Sequence, residues 1–292
     1  MSYFGPICTA MITPFAKDLE IDYQKVTKLV EYLIENGSDS ILVAGTTGES
    51  PTLTTEEKLN LFEHVVRVVN KRVPVIAGTG SNDTASSIEL TKKATSLGVD
   101  AIMLVVPYYN KPTQKGLIAH FKTIAKSTNL PIMLYNIPGR TSINMTVETV
   151  VELSKVSNIV AIKEASGDLN QMGKTIAQTD DTFELYSGDD ALALPVMAIG
   201  GVGVVSVASH LVGKELKKML QLYSNGNIIE AASIHRKLLN KFESLFIFSN
   251  PVPLKALLKE EGIDMGSVRL PLVELNNEEH QLVVQRFLKK VN

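Results

Sequence analysis

Eight short runs of small and β-branched residues recur along this chain, each handing over to a longer segment whose apolar residues return at helical spacing. The runs are ICTAMI (7–12), SILVAG (40–45), PVIAG (74–78), AIMLVVP (101–107), PIMLY (131–135), IVAIK (159–163), FELYS (183–187) and GVVSVA (203–208). Helices are expected to begin near Asp22, Thr54, Thr84, Gln114, Thr146, Leu169, Ala191 and Lys214. The clearest, TTEEKLNLFEHVVRVV, sets Thr54 and Glu57 at capping-box spacing and carries an apolar face of Leu61, Val65, Val68 and Val69. Gly37 and Gly98 follow helical segments as stop signals. Eight strand–helix units predict an α/β chain closed into a (β/α)8 TIM barrel over residues 1–226. A doubly wound sheet is the alternative, but Gly201-Val-Gly203-Val-Val-Ser206 lacks the third glycine of a dinucleotide loop and comes late. After 226 the pattern is purely helical, broken at Asn250-Pro-Val-Pro253 and ending in a helix near 278–290, which predicts a C-terminal helical appendage over 227–292.

Composition narrows the partners. With 45 % hydrophobic residues and a net charge of −2, the 292-residue chain has the makings of a large core and no basic patch to track a phosphate backbone, so nucleic acid is not expected. Cys8 is the only cysteine, which rules out an internal disulfide and a thiolate metal cluster. No basic, apolar leader opens the sequence, and no apolar run reaches the ~18 to 20 residues of a membrane span. A cytoplasmic protein is expected.

Barrels of this kind place their chemistry at the C-terminal ends of the strands. Polar residues gather there: Thr46-Thr47-Gly48-Glu49, Tyr108-Tyr109-Asn110, Tyr135-Asn136, Lys163-Glu164 and Ser187-Gly188-Asp189-Asp190. The strand starts show no comparable gathering. Lys163 ends the run IVAIK, and strict alternation puts it on one face with Ile159 and Ala161, opposite Val160 and Ile162. If that face lines the lumen, its amine stands in apolar surroundings. Burial disfavours an ammonium, and a neutral amine attacks carbonyl carbon. The competing reading is a lysine that reaches the rim or pairs with Glu164 or Asp189.

Tyr135 ends the preceding strand and is placed to move protons beside a lysine imine, or else is a core aromatic. Gly45-Thr46-Thr47-Gly48 offers backbone N–H groups and hydroxyls to an anion, though such a turn is also ordinary. Arg140, on the loop after Tyr135, suits bidentate capture of a carboxylate. His64, His120, His210, His235 and His280 have no metal-binding spacing, and no metal is assigned.

Together these residues resemble the pyruvate-dependent class I aldolases of the N-acetylneuraminate lyase family. The resemblance runs along the whole chain through GTTGES (45–50), PVIAGTGSN (74–82), PYYNKP (107–112), LYNIPGRT (134–141), IKEASGD (162–168), YSGDD (186–190), GGVGVVSV (200–207) and NPVPLKALL (250–258). It implies that Lys163 forms an imine with pyruvate, and that Tyr135 relays protons with Thr46 and with Tyr109 from a neighbouring subunit. It further implies that Thr47 and the Val205 backbone hold the pyruvate carboxylate. Arg140 would hold the carboxylate of a second substrate, L-aspartate 4-semialdehyde, in a step of lysine and diaminopimelate synthesis. No metal or organic cofactor is implied. The shared tyrosine implies at least a dimer, and the resemblance leads us to expect a homotetramer.

Sibling aldolases of sugar acids, acting on N-acetylneuraminate or 2-keto-3-deoxygluconate, are the alternative. They share the lysine and tyrosine but carry Ser-Thr at the position of Thr46-Thr47 and lack an arginine at 140. Members inhibited by lysine place histidine or acidic side chains where this sequence has Pro51, Thr55, Lys58 and Ser86, although Ser50, Asn82 and Tyr108 fit that pattern. Weak or absent feedback inhibition is expected.

Overall fold

In the computed structural model, which describes residues 2–289, each apolar run becomes a short parallel strand. The strands are β1 (Ile7–Ala10), β2 (Ser40–Val43), β3 (Val75–Gly78), β4 (Ala101–Val105), β5 (Ile132–Asn136), β6 (Ile159–Glu164), β7 (Glu184–Ser187) and β8 (Gly203–Ser206). Each pairs with the next, and β8 pairs with β1, closing the barrel. Four strands, β1, β2, β4 and β8, stop short of the apolar run that announced them, because residues such as Met11 and Ile12 are buried beyond the ladder rather than in it.

The outer layer comprises α1 (Tyr23–Glu35), α2 (Thr55–Val69), α3 (Thr84–Ser96), α4 (Gln114–Ala125), a single turn α5 (Pro138–Thr141), α6 (Val147–Ser154), α7 (Leu169–Gln178), α8 (Ala193–Ala198) and α9 (Ser209–Ser224). Side-chain caps start several of them: Asp22, Asp83, Thr113, Thr146 and Asp168 each accept first-turn N–H groups, and Thr54 with Glu57 forms the expected capping box. α2 buries Leu61, Phe62, Val65 and Val69, with Val68 only half-buried. Two starts differ from expectation: a 3-10 turn at Asp190–Leu192 delays α8 to Ala193, and α9 begins at Ser209, five residues before Lys214.

Beyond the turn at Asn225–Asn227 come α10 (Ile228–Ser244), α11 (Val252–Glu260) and α12 (Asn277–Leu288). α10 packs against α9 and α12, so the last helices lie on the barrel's flank. Residue 1 and residues 290–292, at the ends of the two expected units, lie outside the described residues. No helix among the described residues is long and apolar enough to cross a membrane.

Two apolar groups form the core. One fills the layer between strands and helices. The other fills the lumen and includes Cys8, Leu42, Met103, Met133, Tyr135 and Val205. Strand alternation feeds both, as in β5, where Met133 and Tyr135 point inward and Ile132 and Leu134 outward. β6 breaks the rule. Its register against β5 shifts, so that Ile132 meets Ile159 but Met133 meets Ala161. The extra residue is Val160, which joins Ala161 in the lumen while Ile159 and Ile162 face the helices. The expected sharing of one face by Ile159 and Lys163 is therefore wrong, although Lys163 does point inward.

The floor of the lumen corrects a second expectation. Glu184, at the start of β7, accepts hydrogen bonds from the Ser2 hydroxyl, the Tyr3 N–H and, at 2.8 Å, the Tyr186 hydroxyl. Polar residues thus gather at a strand start as well, and with Phe4 beside Tyr186 they plug the barrel from below.

Candidate active site

Lys163 and Tyr135 are register partners on β6 and β5. The Lys163 side chain is 5 % exposed, and its Nζ lies 4.1 Å from the centre of the Tyr135 ring. Among the described residues no carboxylate forms an ion pair with it. Glu164, the partner considered from sequence, points to the other face of β6 and accepts hydrogen bonds from Asn136 and Ser166 instead. Burial raises the Glu164 carboxyl pKa, and those donors oppose the rise. The lumen beneath the amine holds the Cys8 thiol, which burial pushes up to about 11 and so keeps protonated at neutral pH.

Space around the amine is shaped by Gly188, just after β7. A methyl group there would lie 3.2 Å from Lys163 Cε and 2.6 Å from Ala165 Cβ. Glycine lets the lysine stem pass.

The loop after β2 brings Thr46 and Thr47 to the same end of the barrel. Ala44 (φ 52°) and Glu49 (φ 55°) are left-handed at its two ends, a conformation that costs non-glycine residues stability and needs outside support. Support comes from three directions. The Thr13 hydroxyl donates to Gly48 O at 2.7 Å, Asn250 Nδ2 donates to Thr47 Oγ1 at 2.9 Å, and Lys255 Nζ lies 2.8 Å from Glu49 Oε1. Thr47 is buried and Thr46 half-buried. Because Asn250 occupies an acceptor site on Thr47 Oγ1, the threonine's own proton is free to be donated elsewhere.

Val205, on β8, lies in the lumen group with Tyr135. Its strand end is fixed by the fully buried Asp190, which accepts from the Ser206 hydroxyl and from the N–H groups of Val207 and Ala208. Burial outweighs these donors and raises the Asp190 carboxyl to about 6.

Two expected residues stand apart. Arg140, in the α5 turn, is exposed and enters no ion pair among the described residues. Tyr109 is 89 % exposed and left-handed (φ 72°), so in a single chain its ring projects into solvent. The structure thus brings Lys163, Tyr135 and Val205 together in the lumen, with the Thr46-Thr47 loop at its mouth. It also gives structural roles to Gly188 and Asp190 of the strand-end cluster and to Asn250 and Lys255 of the NPVPLKALL segment, none of which the sequence reading had assigned. All five histidines lie in helices, and among the described residues no group of three or more His, Cys, Asp or Glu side chains is placed to hold a metal ion.

A buried amine above an apolar lumen, a phenol against it, and hydroxyls and N–H groups at the rim can bind a keto acid and form an imine with it. Comparison with known proteins points the same way. Residues 3–291 match the dihydrodipicolinate synthetase family. The 4-hydroxy-tetrahydrodipicolinate synthase of Bacillus velezensis is 58 % identical over 275 residues, covering 94 % of this chain and 95 % of the relative. A crystal structure of dihydrodipicolinate synthase from Bacillus anthracis superposes with a TM-score of 0.97 at 54 % identity, covering 100 % of both chains. The enzyme from Cyanidioschyzon merolae, crystallised with lysine bound, gives 0.96 at 49 % identity over 99 % of this chain and 98 % of that one.

Proposed function

The chain belongs to the dihydrodipicolinate synthetase family, and on that premise we propose that it condenses pyruvate with L-aspartate 4-semialdehyde through an imine on Lys163, giving 4-hydroxy-tetrahydrodipicolinate for lysine and diaminopimelate synthesis. The observation that carries the proposal is the buried Lys163 amine, without an ion pair among the described residues, 4.1 Å from the Tyr135 ring.

The Lys163 amine adds to C2 of pyruvate, and loss of water gives the protonated imine. That imine draws electrons from C3, a methyl proton leaves, and the enamine attacks the aldehyde carbon, whose oxygen takes up a proton. The amine of the second substrate then adds to C2 and expels Lys163, closing the ring and freeing the enzyme. One water is released overall. Tyr135 moves the protons, with Thr46 and a neighbouring subunit's Tyr109 completing the relay. Thr47 and the Val205 backbone hold the pyruvate carboxylate, and Arg140 holds that of the semialdehyde. No step calls for a metal or organic cofactor.

The exposed Tyr109 favours a homo-oligomer, a tetramer or a dimer, in which that ring enters a neighbour's site. The free, buried Cys8 suits the reducing cytoplasm. Residues 1–226 form the catalytic barrel in this reading, and 227–292 a helical unit bracing it. Incubating the protein with pyruvate and aspartate semialdehyde, and separately with N-acetylneuraminate or 2-keto-3-deoxygluconate, tests the assignment. Cyclic product from the first pair alone is expected. Cleavage of a sugar acid with no turnover of the semialdehyde would overturn it.

A further inference from the structure

Glu164 and Asn136 are 1 % and 0 % exposed, and neither faces the lumen. They end β6 and β5 directly after Lys163 and Tyr135, so the pair Asn136–Glu164 is the next rung of the ladder above Tyr135–Lys163, on the opposite face. Asn136 Nδ2 lies 3.0 Å from both Glu164 oxygens. The same carboxylate accepts from Ser166 N–H at 2.8 Å and from Gln171 Nε2 at 3.2 Å. Asn136 Nδ2 also reaches Asn144 Oδ1 at 2.7 Å, and Asn136 Oδ1 accepts from Met145 N–H at 3.0 Å. Asn144 and Met145 belong to the segment that follows the α5 turn carrying Arg140.

A carboxylate so deep costs stability unless it is fully hydrogen-bonded, and no cation pairs with it among the described residues. An apolar pair at this seam would pack at less cost. What the polar pair adds is geometry: every group around Glu164 is a donor, so only an acceptor with two oxygens satisfies all of them at once. Three segments converge on it, bearing Tyr135, Lys163 and Arg140.

We infer that Glu164, with Asn136, is a positioning residue that locks the β5 and β6 ends together and thereby fixes the Lys163 amine against Tyr135 and the Arg140 turn above them. The inference rests on the imine at Lys163 proposed above. An angstrom of misplacement at a reacting centre can cost about a hundredfold in rate, so the lock is read in kinetics before it is read in folding.

The test is the rate of imine formation, followed by quenching enzyme and pyruvate with borohydride at timed intervals and weighing the protein. Glu164→Gln turns one acceptor into a donor facing donors, and imine formation is expected to slow about tenfold or more with its pH dependence unchanged. Adding Gln171→Glu returns an acceptor to the network, so the double variant is expected to recover most of the rate. Gln171→Met, at a half-buried position, removes this donor together with the Gln171 hydrogen bonds to Asn144 and Met145 and should slow the imine about threefold. Folded Glu164→Gln or Gln171→Met protein with the wild-type rate would overturn the positioning role. Slowing accompanied by a shifted pH profile and no rescue by Gln171→Glu would also overturn it, since the carboxylate would then act through its charge. A wild type that forms no adduct would sink the Lys163 reading itself and this inference with it, a result distinct from an adduct that forms equally fast in every variant.

Discussion

Lys255 lies 92 positions from Lys163 in the sequence and, unlike it, is buried against a carboxylate partner. Its Nζ is 2.8 Å from Glu49 Oε1 and 2.6 Å from Ser267 O, and stands 4.3 Å from the centre of the Phe15 ring. The two charged side chains are 5 % and 1 % exposed. Burial pushes the lysine below its ordinary pKa while the Glu49 carboxylate opposes the shift. Lys255→Met keeps the stem and removes the cation, leaving Glu49 with the Arg269 N–H at 2.9 Å as its remaining partner. Stripping one partner from a buried pair costs about 3–5 kcal/mol. At about 2–4 °C per kcal/mol, the melting temperature should fall by roughly 6–20 °C. Because Glu49 closes the Thr46-Thr47 loop, KM for pyruvate should rise in the surviving folded protein. Adding Glu49→Gln removes the stranded charge, so the double variant should melt above Lys255→Met. Differential scanning calorimetry on the four proteins of this cycle decides the matter. A Lys255→Met protein melting within about 2 °C of wild type, or a double variant less stable than either single one, would refute the reasoning.

Gly188→Ala forces a methyl group to 2.6 Å from Ala165 Cβ and 3.2 Å from Lys163 Cε. It should cost about 1–3 kcal/mol in stability and slow imine trapping, and a protein equal to wild type in both would contradict the packing described. Burial lowers His210 to about 4, with Val207 O accepting from one ring nitrogen and the Ile12 N–H directed at the other. The unfolded chain therefore takes up this proton first: the contribution is present above pH ~6.5 and is lost as pH falls towards 4, reaching about 3 kcal/mol. Asp190, raised to about 6, slopes the other way, favouring the fold at low pH, so the comparison is with His210→Gln, whose stability should fall less steeply over that window. Equal slopes in urea titrations would refute it. L-lysine at sub-millimolar concentration should leave turnover unchanged, since this chain has the half-buried Lys58 and the exposed Ser86 where the family resemblance implies histidine or acidic side chains in lysine-inhibited members. Clear inhibition would contradict this.

Lys163 was legible because two local signals agree on it: an apolar run that ends in a cation, and a strand–helix repeat that says which strand end matters. Tyr135 followed from neighbouring strands ending level, as their register does. The face of Ile159 was misread because a period of two cannot register an inserted residue, and nothing in IVAIK marks Val160 as the bulge. Glu49–Lys255 and Thr47–Asn250 join positions 206 and 203 residues apart, contacts that pattern and propensity do not encode. Glu184 and Tyr186 read as ordinary strand residues, since their role depends on where Ser2 and Phe4 come to rest beneath the barrel.

The most direct test is the intact mass of the protein after incubation with pyruvate and borohydride, with Lys163→Ala alongside. Imine chemistry at Lys163 predicts one reduced pyruvyl adduct on the wild-type chain, carried by the peptide containing Lys163, and none on the variant. An adduct that persists in Lys163→Ala, or none on either protein, would contradict it.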